Sequence, residues 1–141
     1  MSTLPSIDAA REALRAHVLQ HSLKTGDFTL KSGRTSKWFL DTKQTACRAD
    51  GILLVADVAL SLLPNEITAI GGLTMGADPV AYGIAAVAAT RGRQLRSFSV
   101  RKEAKDHGVT GRIAGALQPG DKVAIIEDTV TRGLSIFEAV D

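Results

Sequence analysis

The chain has 141 residues, which argues for one domain. Hydrophobic residues make up 45% and charged residues 23%, which excludes a disordered tail, a collagen-like rod and a disulfide scaffold. The 17 Lys and Arg against 15 Asp and Glu leave a formal charge of +2, too even a balance for a bulk nucleic-acid binder.

Ser6 is placed to cap a first helix, with Ile7, Ala10, Leu14 and Val18 on one face and Gly26 as its end. Phe28-Thr29-Leu30 and Lys37-Trp38-Phe39-Leu40 flank a Ser32-Gly33 turn and read as a β-hairpin. Ile52–Leu63 is apolar at helical spacing and is stopped by Pro64-Asn65. Ile67–Ile70 then reads as a strand leading into Gly71-Gly72, and Pro79–Ala89 as a helix with proline in its first turn. Leu95–Val100 and Lys122–Ile126 read as two further strands, with a helix from Gly133. This alternation predicts a parallel α/β fold. Aromatic residues are only 4%, so the core is expected to use small side chains.

In such sheets ligands bind beyond the carboxyl ends of the strands. The loops 71–79, 101–112 and 127–135 therefore converge on any active site. The last is the most informative. A strand delivers Glu127 and Asp128 into Thr129-Val130-Thr131-Arg132-Gly133-Leu134-Ser135. Free backbone N–H groups at a helix start favour an anion, and Thr129, Thr131 and Ser135 add hydroxyl donors. Adjacent acids do not suit phosphate; they suit sugar hydroxyls or a cation. The segment fits a phosphorylated sugar with a metal nearby, and equally a strand followed by an ordinary capped helix with solvated acids.

Arg101, Lys102, Lys105 and His107 lie within seven residues. That density of donors suits a leaving group that gains negative charge; a solvated basic loop balanced by Glu103 and Asp106 is the alternative. Gly108 and Gly111 suggest mobility, as in a lid. Trp38 and Phe39 suit a flat ring or a hairpin anchor, and only one of two adjacent strand residues faces a given side. Cys47 excludes an internal disulfide, suits a reducing cytosol and reads as a small buried residue. His17 and His21 have a spacing that can bind metal, with no third ligand pattern beside them; a surface or core-edge role is expected. No apolar run reaches the roughly 18 residues of a membrane span, and the N-terminus lacks the sections of a signal peptide. A cytoplasmic location and no membrane partner are expected.

The run Glu127-Asp128-Thr129-Val130-Thr131-Arg132-Gly133 resembles the ribose-phosphate loop of type I phosphoribosyltransferases. Arg101-Lys102-Glu103-Ala104-Lys105-Asp106-His107-Gly108 resembles the signature loop of orotate phosphoribosyltransferases. Phe28-Thr29-Leu30-Lys31-Ser32-Gly33-Arg34 and Ser36-Lys37-Trp38-Phe39-Leu40-Asp41 resemble that family's N-terminal hairpin. The resemblance spans roughly residues 12–141.

It implies an α/β, parallel-sheet type I fold with an N-terminal helix and β-hairpin hood, as a single domain over 1–141. Hood elements lie within 1–45, and the core is 46–141. It implies transfer of ribose 5-phosphate from phosphoribosyl pyrophosphate to orotate in pyrimidine biosynthesis. Lys102, Lys105, His107 and Asp128 are its implied catalytic residues. Arg101, Lys102, Lys105, His107 and Glu127 to Ser135 would bind phosphoribosyl pyrophosphate; Lys31, Trp38, Phe39 and Thr131 would bind orotate. Mg2+ would be held mainly through substrate, with no protein metal ligands. A homodimer is implied, with loop 101–108 completing the neighbour's site, and no nucleic-acid partner. Another phosphoribosyltransferase, and a non-catalytic regulator or fragment that binds the same diphosphate, are the competing readings.

Two departures from the family pattern stand out. Met75-Gly76 occupies the pyrophosphate loop where many members have an aromatic–lysine pair, with Lys102 and Lys105 as possible compensation. The family's orotate-binding arginine falls beyond Asp141, and the short helix from Gly133 reads as a C-terminal truncation. Strand 122–126 is then expected to have another strand beyond it.

Overall fold

The computed structural model of the chain describes residues 5–141. The signal-peptide reading begins on residues 1–4, which lie outside them. Helix α1 spans Ile7–His17, and the Ser6 side chain accepts a hydrogen bond from the Ala9 N–H at 3.3 Å. The chain continues through a π turn, Val18–Ser22, directly into strand β1, Leu23–Thr29. Gly26 therefore does not end the helical unit. It lies inside β1, where the register slips between Thr25 and Phe28.

Strand β2, Thr35–Leu40, pairs antiparallel with β1. The turn is closed by Leu30 N–H to Arg34 O at 2.8 Å and Gly33 N–H to Leu30 O at 2.9 Å. Gly33 has φ +80, a backbone state that favours glycine. A one-turn helix α2, Lys43–Ala46, follows and precedes α3, Ala49–Leu62. Neither α2 nor the early start of α3 has a signal in the apolar periodicity. Cys47 ends α2 and is exposed, not buried, because the inward positions of that turn are taken by Thr45 and Ala46.

The main sheet contains β3 (Ala69–Leu73), β4 (Arg96–Lys105), β5 (Gly111–Gly115) and β6 (Val123–Ile125), in the order β5-β4-β3-β6. β3 runs parallel to β4 and to β6, and β5 is antiparallel to β4. Among the described residues β6 has no strand on its outer side. Helix α4, Asp78–Thr90, packs with α3 on one face of the sheet. Its Ala81, Ile84, Ala85, Val87 and Ala88 meet Ala56 and Ile70. Phe98, Val100, Ala69 and Leu73 form the core of the other face, where Ala139 of helix α5, Leu134–Val140, also packs. The expected core of small side chains is thus observed.

Two expected loops are strands. The first is Gly71-Gly72, which falls within β3. A Cβ on Gly71 would stand 2.3 Å from the Phe98 carbonyl oxygen, and one on Gly72 2.1 Å from that of Ile126. These glycines let the backbone of neighbouring segments close in; they do not mark a turn. The second is the segment 101–112. Arg101–Lys105 continues β4, and β5 returns beside it, with Lys105 opposite Gly111. A polar strand that leaves the core has no apolar alternation by which to be read.

We expect Gly71→Ala to destabilise the fold by about 1–3 kcal/mol, the usual cost of overpacking a filled core. A lower urea midpoint at unchanged slope checks this; an unchanged midpoint would show that the strands have room to separate.

Candidate active site

Strand β6 runs into Ile126, whose N–H donates to Gly71 O at 2.9 Å, and so fixes the point at which the acid pair leaves the sheet. Glu127 and Asp128 then face Gly76, at the entry to α4. A Cβ on Gly76 would lie 2.5 Å from Glu127 Oε1 and 2.6 Å from Asp128 Oδ1. In this arrangement the two carboxylates occupy the place that a side chain at residue 76 would take. Met75 beside it is exposed.

Asp128 is held from several directions. Thr42 Oγ1 donates to its Oδ2 at 2.8 Å, and Lys43 Nζ donates to the same oxygen at 3.3 Å. The Thr129 N–H donates to Oδ1 at 3.0 Å. The Asp128 N–H in turn donates to Glu127 Oε1 at 2.9 Å. Burial pushes the Glu127 carboxyl above its ordinary value, and the adjacent Asp128 adds to this. Burial acts the same way on Asp128, but hydrogen bonds with Glu127, Thr42 and Lys43 outweigh it and hold that carboxyl below its ordinary value. The pair thus has unequal proton affinities: Glu127 keeps a proton more readily, and Asp128 stays ionised.

The segment after the pair leaves backbone amides unpaired. Among the described residues, no protein acceptor takes the N–H groups of Val130, Thr131, Arg132 or Gly133. Gly133 has φ +74 and turns the chain into α5. Such consecutive free amides attract an oxyanion. A cleft of about 560 Å3 opens over them, lined by Glu127 and by Thr129 to Ile136 on one side and by Leu30, Lys31, Ser32 and Phe39 of the hairpin on the other. A second recess of about 340 Å3 shares Glu127, Thr129 and Ser135 with it and adds Lys43, Thr74, Met75, Gly76, Lys102 and Asp128. The acid pair stands between the two hollows.

The predicted residues divide accordingly. Glu127 to Ser135, Lys31, Phe39 and Lys102 are brought together. Trp38 is not: it is 56% exposed and does not line the cleft, whereas Phe39 does and packs against Phe28 at a ring separation of 5.9 Å. Strand alternation sends the two aromatics to opposite sides. Arg101 is not brought to the cleft either. Its guanidinium donates to Val109 O at 3.3 Å and Gly111 O at 3.1 Å, pinning the β4–β5 hairpin. Lys105 and His107 are exposed on that hairpin and line neither hollow. Thr42 and Lys43 are additions that the sequence does not announce. They lie 86 and 85 residues from Asp128, in a polar stretch without periodicity.

A sheet of three parallel strands with one antiparallel edge and helices on both faces, a strand-end acid pair running into a stretch of unpaired amides, and a hairpin hood beside the cleft are the features of the type I phosphoribosyltransferase class. No family model matches the chain. Among curated proteins, it is 39% identical over 136 residues to an orotate phosphoribosyltransferase of Nostoc sp., covering 96% of this chain and 66% of that relative. It is 41% identical over 134 residues to the orotate phosphoribosyltransferase of Aquifex aeolicus, covering 92% of this chain and 73% of that one. Among solved structures, Mycobacterium tuberculosis orotate phosphoribosyltransferase in complex with 5-phospho-α-D-ribosyl 1-diphosphate superposes with a TM-score of 0.71 at 29% identity, over 93% of this chain and 72% of that one. The chain belongs to the orotate phosphoribosyltransferase family.

Removing the Lys43 charge tests the electrostatics of the pair. In Lys43→Met the Asp128 carboxyl loses one of the partners that favour its ionised form, so its titration midpoint should rise, as read by carboxyl 13C NMR. Any stability that Asp128 contributes is present above its unfolded value and is lost as pH falls through its depressed folded value. The loss should therefore begin at higher pH in the variant. An unmoved midpoint would mean that Lys43 does not pair with Asp128 in solution.

Proposed function

We propose that this chain carries out the family's reaction. Ribose 5-phosphate passes from phosphoribosyl pyrophosphate to a ring nitrogen of orotate, giving orotidine 5′-monophosphate and pyrophosphate. The observation that carries the reading is the junction of Glu127 and Asp128 with the free amides of Val130 to Gly133. A sugar hydroxyl pair and a phosphate, joined in one molecule, match those two features in order. The relative crystallised with the diphosphate adds support.

Glu127 and Asp128 hold the ribose hydroxyls. The Thr129–Ser135 loop takes the 5′-phosphate through backbone N–H groups and the hydroxyls of Thr129, Thr131 and Ser135. Lys102, in the second recess, faces the pyrophosphate. Lys31 and Phe39, across the cleft, take the orotate, with Thr131 near its edge. The bond from ribose C1 to pyrophosphate oxygen breaks as the bond from C1 to nitrogen forms, and the sugar passes through an oxocarbenium-like state. The protein then contributes position and charge rather than a covalent intermediate.

Two neighbouring carboxyls, one of them pushed toward protonation by burial and by its partner, fit a cation close by. Glu127 and Asp128 are the protein groups nearest to where Mg2+ would sit, with most of its ligands from substrate oxygens and water. Bound there, it would neutralise charge on the pyrophosphate. Lys105 and His107, exposed on a hairpin that leaves their own cleft, fit a homodimer in which each hairpin completes the neighbour's site.

Loss of orotate absorbance on adding phosphoribosyl pyrophosphate and Mg2+ tests this reading. Asp128→Asn should lower turnover by about a hundredfold or more, the scale of losing a preorganised polar contact to the transition state. Turnover within a few-fold of the parent would remove Asp128 from the ribose site. Mixing Lys105→Ala chains with Asp128→Asn chains should restore one working site per heterodimer. Heterodimers without recovered activity would show that each site is built within one chain.

A further inference from the structure

At the far side of α1 lies a polar cluster that the proposed reaction does not use. His17, at the last turn of α1, is 7% exposed. Its Nδ1 lies 3.1 Å from Thr45 Oγ1, and Thr45 Oγ1 lies 2.6 Å from Ser22 Oγ, both contacts buried. That chain settles one ring nitrogen. The other, Nε2, is buried without a hydrogen-bond partner, although Asp50 Oδ1 stands 3.2 Å away. His21 lies four residues on, with its ring centroid 4.4 Å from that of His17. One ligand atom from each of His17, His21 and Asp50 falls within 4.8 Å of the others.

A buried polar atom left unpaired is costly, and native structures rarely leave one. The contacts with Thr45 and Ser22 are open to either tautomer: with the proton on Nε2 the ring donates to Asp50 Oδ1, and with the proton on Nδ1 it turns a lone pair toward that oxygen. In the second tautomer two acceptors face each other at that distance, an arrangement that a cation between them satisfies. Bonds of 2.0–2.2 Å in tetrahedral geometry place ligand atoms about 3.4 Å apart, close to the observed 3.2 Å from Nε2 to Oδ1. A hydrogen bond from the second ring nitrogen is also the device that fixes a metal-ligating histidine in its tautomer.

We propose that His17 Nε2, His21 and Asp50 form a site for a divalent transition cation of the Zn2+ type, apart from the catalytic cleft. Two imidazoles and one carboxylate suit such an ion and not Mg2+, which prefers an all-oxygen shell. Three protein ligands leave a fourth position open. The ion fastens the end of α1 to the first turn of α3, where Asp50 lies, and so steadies the segment from which the hairpin hood departs.

The test uses tag-free protein and Zn2+ alone, with isothermal titration calorimetry and thermal melting as readouts. One Zn2+ should bind per chain and raise Tm, because a ligand that binds only the folded state stabilises it. Mg2+ should not compete. His21→Ala and Asp50→Asn, both changes at side chains that are not buried, should each weaken binding by about tenfold or more and remove the Tm shift. Cys47→Ser should bind as the parent does. Histidine side-chain 15N spectra should show Zn2+ at His17 Nε2 in the unaltered protein, which keeps the test independent of how the variants fold. Absence of a binding isotherm, binding undiminished in both variants, loss in Cys47→Ser, or an unshifted His17 Nε2 signal would overturn the proposal.

Discussion

The Asp128 carboxylate is the joint between the two parts of the molecule. Thr42 and Lys43 reach it from the segment that follows the hairpin, and its own strand brings it from the sheet. Gly76 leaves the room in which it sits. The hairpin hood is thereby tied to one oxygen, Oδ2, of the carboxylate that faces the proposed sugar. A carboxylate used for binding is commonly a charge in need of a partner. Here the partners come from the hood, so the position of the hood and the ionisation of Asp128 are one constraint.

That constraint also bears on the turn before α4. A side chain at position 76 would run into both carboxylates as they are arranged here. Lys102 lies in the recess beside Gly76, and Lys43 stands opposite. Positive charge is therefore supplied to this hollow by α2 and β4 and not by the loop itself. The separate His17 cluster lies where α1 meets α3, outside the residues that line either hollow.

Much of this was legible in the sequence, and the failures have physical causes. The acid pair, the amide nest and the hairpin are local in sequence: strand, turn and helix start follow each other within a dozen residues, so their order alone suggests the site. Thr42 and Lys43 were not legible, because a contact across 85 residues leaves no local pattern. Gly71-Gly72 reads as a loop by propensity, yet close approach of neighbouring backbone makes the pair part of β3. Arg101 reads as a phosphate ligand by charge, and within this chain its Nη1 donates to two carbonyls of its own hairpin, a use that only the β4–β5 pairing reveals. Trp38 and Phe39 are equal candidates by type, and only the pleat of β2 separates them.

The 127–135 segment, seated against Gly76, is proposed to receive a ribose phosphate. Backbone amide NMR on the 15N-labelled chain, titrated with phosphoribosyl pyrophosphate and Mg2+, reads it directly. The largest shifts are expected at the amides of Val130 to Gly133 and of Gly76, with smaller ones at Lys31 and Phe39. Saturable shifts that leave Val130 to Gly133 unmoved and gather elsewhere would contradict it.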